Sequence, residues 1–519
     1  MRNTNVKNEK GITLIVLVIT VVILFILSLL VVDFTVDGKL FKTANELGAK
    51  GEAQQTETET LRNSWKDMLG LTNTTTNNNT TGNTTGDNTT GGETTCTHTS
   101  TTATDNGDGT HTITCTKCGK QITTEKHNYV NQKCTKCGAQ KLAVAGEKTT
   151  ETLEFTDSDG NKAIIPKGFT VSGISTEQSV DGGLVIYDIP EGRTVNWTNP
   201  DSVKTQYNQF VWIPVEVNKT TEPKDTETSI ASFKRSVWQD NARVANNAQS
   251  STSFPSSSYS WSNYTEPYSK DSRDYDGTGT GKTGISAQIT ELTQSIYKYG
   301  GFYIGRYEAG SETERTNSSG VTTLGIKQDM YPYIYVKWGD SMSNIGTTGA
   351  VYLSNSLYTG KTGYGVKSML CTGAAWDSML DFVKDSNHSV TDSTTWGNYK
   401  NSETFEITRG SYAVLNTSSY TLGSFNNVES NYSKMKGKSI LLTTGATGAT
   451  ERNSSKNIYD VAGNCYEWTT EAYNTSSRVV RGGSYNLTGS SYPASFRRSS
   501  TPTDSYDYFS FRPLLYVAL

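Results

Sequence analysis

Histidine is scarce in this 519-residue chain: four in all, three of them within one short segment. The long remainder therefore has a single imidazole, His388, to offer for acid–base chemistry. A charge excess is also missing. Forty-seven Lys and Arg face 51 Asp and Glu, for a net charge of −4, which argues against a nucleic-acid partner. Cysteine (7) and proline (11) are few, whereas glycine (47), tyrosine (29) and tryptophan (9) are plentiful. That mixture suits a loop-rich, aromatic-packed globular region better than a helical bundle. The length corresponds to three or four domain-sized pieces, and the chain divides into unlike segments.

Charge is absent from Ile12 to Val32, a run of 21 residues. At about 1.5 Å per residue, such a helix spans the roughly 30 Å hydrocarbon layer. The alternatives are a buried core helix or a cleavable secretory signal. A signal core is about 7–15 residues long and ends at a small-residue site. This run is longer and meets Asp33 without one. Arg2, Lys7 and Lys10 precede the span, so the positive-inside rule predicts a cytoplasmic N-terminus and an extracellular C-terminal head. The expected location is the cell membrane, crossed once.

The sequence around Lys10 and Gly11, KGITLI, resembles the type IV prepilin cleavage motif. The resemblance covers about the first 35 residues and implies a leader (residues 1–10), a prepilin peptidase and pilus machinery as partners. Val16 stands where pilins carry glutamate, a departure that weighs against filament incorporation. Residues 11–70 read as membrane helix and stalk, and residues 71–95, rich in Asn, Thr and Gly, as a flexible tether with almost nothing apolar to bury.

Residues 96–140 hold five cysteines and three histidines: Cys96, His98, His111, Cys115, Cys118, His127, Cys134 and Cys137. The two Cys-x-x-Cys knuckles, 15 residues apart, have zinc-ribbon spacing. Eight ligands suffice for two four-coordinate zinc ions, and one ion held by four cysteines is the simpler arrangement. Disulfides are the third possibility for an extracellular segment, although five cysteines cannot pair completely. About 45 residues are too few for a self-sufficient core, so metal would supply the missing stability.

From about residue 150 to 519 the texture changes to short apolar runs separated by polar loops. Asp159-Gly160 predicts a hairpin turn. GLVIYDI (Gly183–Ile189), FVWIPVEV (Phe210–Val217), GGFYIGRYE (Gly300–Glu308) and YPYIYVKW (Tyr331–Trp338) predict strands, and Trp376–Lys384 predicts an amphipathic helix. The fold class is α+β. Trp212, Trp376 and Trp468 are expected core anchors, and Arg481 and Arg512 are expected to bridge loops through charge-assisted hydrogen bonds.

QFVWIPV (Gln209–Val215), GGFYIGRYEAG (Gly300–Gly310), VKSMLCTGAAWDSML (Val366–Leu380), NIYDVAGNCYEWT (Asn457–Thr469), RVVRGGSY (Arg478–Tyr485) and SFRPLLYV (Ser510–Val517) occur in that order. Together they resemble the formylglycine-generating, or sulfatase-modifying-factor-like, family over about residues 195–519. The resemblance implies an irregular C-type-lectin-like head. It also implies a calcium ion at Asp460, Gly463, Cys465 and Glu467, and oxygen ligands on a tight turn suit that ion. Oxidases of the family use two cysteines lying between the RGGS block and the final FR. Here that segment, Ser484–Ser510, has none, while it holds eight serines and four tyrosines. Tyrosine and serine in that proportion make adaptable binding surfaces. Tyr485, Tyr492, Phe496, Arg497, Arg498, Tyr506 and Tyr508 are therefore the candidate residues for an extracellular protein or glycan ligand. The resulting expectation is a non-catalytic adhesin or receptor, with a minor pilin or a formylglycine-generating oxidase as alternatives.

Overall fold

The centre of the head is a six-stranded antiparallel sheet. Its strand order is Val366–Leu370, Pro513–Val517, Gly301–Gly305, Gln209–Pro214, Val185–Tyr187 and Thr170–Val171. The last strand of the chain lies inside this sheet, with Leu515 opposite Tyr303 on one side and Ser368 on the other. Burial along Gly301–Gly305 and Pro513–Val517 is continuous. Both faces are covered, which is why these strands read as unbroken apolar runs. The computed structural model describes residues 96–219, 230, 232–243, 284–342, 344–402, 411–414, 426–427, 439–446, 454–473 and 476–519. The expected membrane span, Lys10-Gly11, and the expected stalk and tether lie outside the described residues. Among the described residues no helix is long and apolar enough to cross a membrane.

A second sheet is ordered Arg497–Ser500, Arg478–Arg481, Tyr466–Ala472 and Phe509–Phe511, and takes strands from the NIYDVAGNCYEWT and RVVRGGSY segments. Only its Tyr466–Ala472/Phe509–Phe511 pair is parallel. Trp212, Trp376 and Trp468 are fully buried, as expected of anchors. The hairpin forms between Leu153–Thr156 and Lys162–Ile165, with Asp157 accepting the amides of Asp159 and Asn161 inside the turn. The amphipathic helix runs Gly373–Val383, starting three residues earlier than its apolar pattern suggests. Thr372 caps it by accepting the Ala375 amide.

Two elements depart from the sequence reading. YPYIYVKW pairs as a strand only at Tyr331–Pro332. Beyond it Tyr335 is left-handed (φ 54°), and the amides of Tyr335 and Trp338 donate to the carbonyls of Tyr506 and Pro502. The run is apolar because it is buried under a loop, not because it belongs to a ladder. The helix Ile285–Tyr299 was not anticipated. Its signal is present in Ile285, Ile289, Leu292 and Ile296, all buried on one face, and Gly300 (φ 79°) ends it in the left-handed conformation.

Beneath the sheet edge Glu177 is buried against two cations, Arg306 at 2.8 Å and Lys204 at 3.1 Å. Ser172 and Tyr187 also donate to it. Burial opposes its ionisation, but the charges of Arg306 and Lys204 outweigh burial and bring the carboxyl down to about 2 from 4.5. A depressed carboxyl stabilises the fold above its unfolded value and loses that contribution as pH falls through the folded one. Glu177→Gln is therefore expected to cost about 3 kcal/mol at pH 7. The deficit should shrink as pH is lowered toward 2. Denaturant titrations of both proteins between pH 7 and pH 2 would show it, and a deficit independent of pH would refute it.

Candidate functional site

The Ser484–Ser510 segment is launched by Gly482 and Gly483, both at positive φ. A side chain at Gly483 would lie 2.2 Å from the Tyr492 carbonyl, so the segment folds back on its own start. Two of the expected ligand-binding residues face inward, and the expectation is corrected for them. Tyr485 is fully buried, its hydroxyl donating to Asp507 at 3.0 Å. Burial raises the Asp507 carboxyl to about 6. Arg497 is buried in ion pairs with Asp377 and Glu471. In a strand, side chains alternate between faces, so Arg497 turns to the core and Arg498 outward.

The remaining five form a connected aromatic surface. Tyr492 meets Phe496 edge-on at 4.8 Å, and Phe496 reaches Tyr466 at 6.4 Å. The Arg498 guanidinium lies 5.6 Å from the Tyr466 ring centre and 6.0 Å from that of Tyr508. Tyr508 stacks on Tyr506 at 5.1 Å with planes 7° apart, and Tyr506 is 41% exposed. Tyr335, half-buried beside Tyr508, completes the edge. Sequence reasoning missed Tyr335 at this edge because it was assigned to a strand, and missed the fully buried Tyr466 ring that supports Phe496 and Arg498 because it was assigned to a structural motif.

The turn expected to hold calcium is organised by side chains of the protein. Glu467 receives Arg512 through both oxygens, at 2.7 and 3.0 Å. Arg512 also donates to the carbonyls of Gly305 and Tyr459, tying a strand of each sheet to the loop at Tyr459. Asp460 accepts the Gly445 amide at 2.9 Å. Gly463 (φ 72°) passes so close to Asn398 that a side chain would lie 2.1 Å from its carbonyl oxygen. Cys465 is buried, and burial and the neighbouring Glu308 push its thiol well up. Asn464 is the unforeseen hub: it accepts from Asn398 and the Leu442 amide and donates to Glu308 and the Leu442 carbonyl. Glu308, buried near Asp460 and Glu467, is raised well above the carboxylate range by burial and by those charges. In this turn, then, both Glu467 oxygens are engaged by Arg512 and one Asp460 oxygen accepts a backbone amide.

Cys371 is also buried, its thiol donating to the Thr372 carbonyl. His388, the single imidazole of the head, is buried against Trp396 and bonded to Asp385.

Among the described residues, two groups of Cys and His converge, both in residues 96–138: Cys96, His98, Cys115 and Cys118, and separately His111, His127, Cys134 and Cys137. The two Cys-x-x-Cys knuckles fall in different groups, the arrangement that two sites would need and a single four-cysteine site would not.

A mixed sheet-and-helix head, its loops pinned by buried arginine–carboxylate pairs and its last strand central, is the class these features define. Residues 231–515 match the sulfatase-modifying factor enzyme 1-like domain, more than half of the chain, and the chain belongs to that family. No curated protein matches. Similar solved structures include the Treponema denticola variable protein 1 (13% identity, 41% of this chain and 84% of that one, TM-score 0.23). They also include the Major Tropism Determinant I1 variant (14% identity, 81% and 85%, TM-score 0.24).

Proposed function

We propose that the head is a non-catalytic binding module with a C-type-lectin-like fold, carried at the bacterial cell surface by the Ile12–Val32 span. The carrying observation is the surface formed by Tyr492, Phe496, Arg498, Tyr506 and Tyr508, which lies in the segment in which family oxidases keep their cysteines and rests on the buried Tyr466 ring. Stacked tyrosines beside a guanidinium offer apolar faces, hydroxyls and a cation at low entropy cost, the composition of an adaptable binding site for a protein or glycan. Two further features support the reading. The head's two thiols are buried, and Arg497 and Tyr485 hold the segment rigidly beneath the surface.

Binding of the purified protein to glycan and protein arrays tests this. Tyr506→Ala and Arg498→Ala are each expected to weaken the captured ligand by about tenfold or more, the effect of losing a central contact. Unfolding midpoints should stay nearly unchanged, because neither side chain is part of the core. Unaltered binding by both variants would reject this surface. Turnover of a cysteine peptide with added copper would favour the oxidase alternative.

A further inference from the structure

Residues 96–138 form a sheet with almost no core of its own. Strands Thr101–Asp105, Thr110–Cys115 and Gln121–Lys126 pair antiparallel, followed by the short ribbon Tyr129–Val130/Lys133–Cys134. Only three residues of this stretch are buried: His111, Cys115 and Cys134. All three belong to the converging Cys/His groups. A sheet that buries nothing but metal-ligating side chains has no hydrophobic contribution to offset its chain entropy.

We propose that this segment binds two zinc ions in separate tetrahedral sites, Cys96, His98, Cys115 and Cys118 forming one and His111, His127, Cys134 and Cys137 the other, and that these ions hold it folded. In each group the candidate donor atoms lie within 4.8 Å of one another. Zinc–sulfur bonds of about 2.3 Å and zinc–nitrogen bonds of about 2.05 Å at tetrahedral angles place two sulfurs about 3.8 Å apart and sulfur and nitrogen about 3.6 Å apart. The observed separations are close: 3.4 Å for Cys96–Cys115 and 3.4 Å for Cys118–His98 Nδ1 in the first site. In the second they are 3.8 Å for Cys134–His111 Nδ1 and 3.5 Å for Cys137–His127 Nε2.

The strand Thr110–Cys115 dictates the division. His111 and Cys115 are four residues apart on one face, about 13 Å along an extended strand, too far for a single ion. One end of this strand therefore serves each site. Each knuckle turns on a glycine with positive φ, Gly119 and Gly138, whose amides bond back to Cys115 and Cys134. The second site also has outer partners of the kind that orient metal-bound imidazoles. His111 Nε2 faces Glu125 at 3.8 Å, and His127 Nδ1 meets the Tyr129 hydroxyl at 2.7 Å. Loading would convert five thiols to thiolates and release five protons, with the imidazoles neutral. All eight donors are protein side chains, so neither site has an open position for catalysis.

Metal analysis of the purified full chain under reducing conditions is expected to give two zinc ions per chain. It should give one for Cys118→Ser, one for Cys137→Ser, and none for the double variant. One zinc in the wild type, abolished by either substitution, would overturn the proposal in favour of a shared site. Absence of zinc, with thiols that in protein purified without reductant alkylate only after reduction, would overturn it in favour of disulfides. Two readouts on the wild type do not depend on variants folding. Cobalt loading should saturate at two ions, with thiolate charge-transfer intensity divided three to two between them. A chelator should open residues 96–138 to protease while the head stays intact, and a segment that remains resistant after the metal is stripped would also overturn the proposal.

Discussion

Asp377→Ala is expected to destabilise the head by about 3–5 kcal/mol, the loss typical when one partner of a buried ion network is removed. Asp377 lies on the helix Gly373–Val383 and is wholly buried. One oxygen accepts from Trp238 at 3.0 Å and Arg481 at 2.5 Å, the other from the Ser236 amide at 2.7 Å and from Arg497. Arg497 also binds Glu471 at 3.1 Å, and Arg481 approaches the same carboxylate at 3.7 Å. Two carboxylates and two guanidiniums cancel in charge. Truncating Asp377 leaves an uncompensated cation in a low-dielectric interior and orphans three further donors. Burial works against the Asp377 charge, but Arg497 and Arg481 more than compensate and draw its carboxyl down. The exposed pair Lys367–Glu291 is the internal control, since Lys367→Met should change stability by about 1 kcal/mol or less. Denaturant titration of both variants decides the matter. Equal losses at the two sites would show that burial does not amplify these charges.

Trp468→Ala is expected to cost about 3–5 kcal/mol, as for other large-to-small changes at buried tryptophans. Its ring is fully buried, stands edge-on to Phe509 at 5.1 Å, and its indole nitrogen donates to the Val336 carbonyl at 2.9 Å. That bond fastens the irregular stretch after Tyr335 to the second sheet. Trp468→Phe keeps much of the packing but strands the Val336 carbonyl, so its cost should be smaller, about 1–3 kcal/mol. The graded pair separates volume from hydrogen bonding, and indistinguishable losses would show that the indole N–H contributes nothing.

How much of this was legible beforehand depended on the range of the interaction. Apolar runs such as FVWIP and GGFYIG announced strands, because continuous burial leaves a local trace in composition. The Asp159-Gly160 turn, the tryptophan anchors and the bridging roles of Arg481 and Arg512 were legible for the same reason. The helix Ile285–Tyr299 left a trace too, in its four-three-four spacing of apolar residues. YPYIYVKW misled because burial beneath the Pro502–Tyr506 loop produces the same composition as burial in a sheet.

Sequence by itself determined the ingredients: which segments are apolar, which eight side chains can ligate metal, that Ser484–Ser510 carries tyrosines and no cysteine, and that Ile12–Val32 is free of charge. Only the tertiary structure decided how those ingredients are shared out. It sent Arg497 to the core and Arg498 to the surface, gave Glu467 to Arg512, and assigned each cysteine knuckle to a different cluster. These are outcomes of side-chain direction and of distances between residues far apart in the chain. Residue identity sets the chemistry a side chain can perform, but the fold sets which partner comes within 4 Å of it.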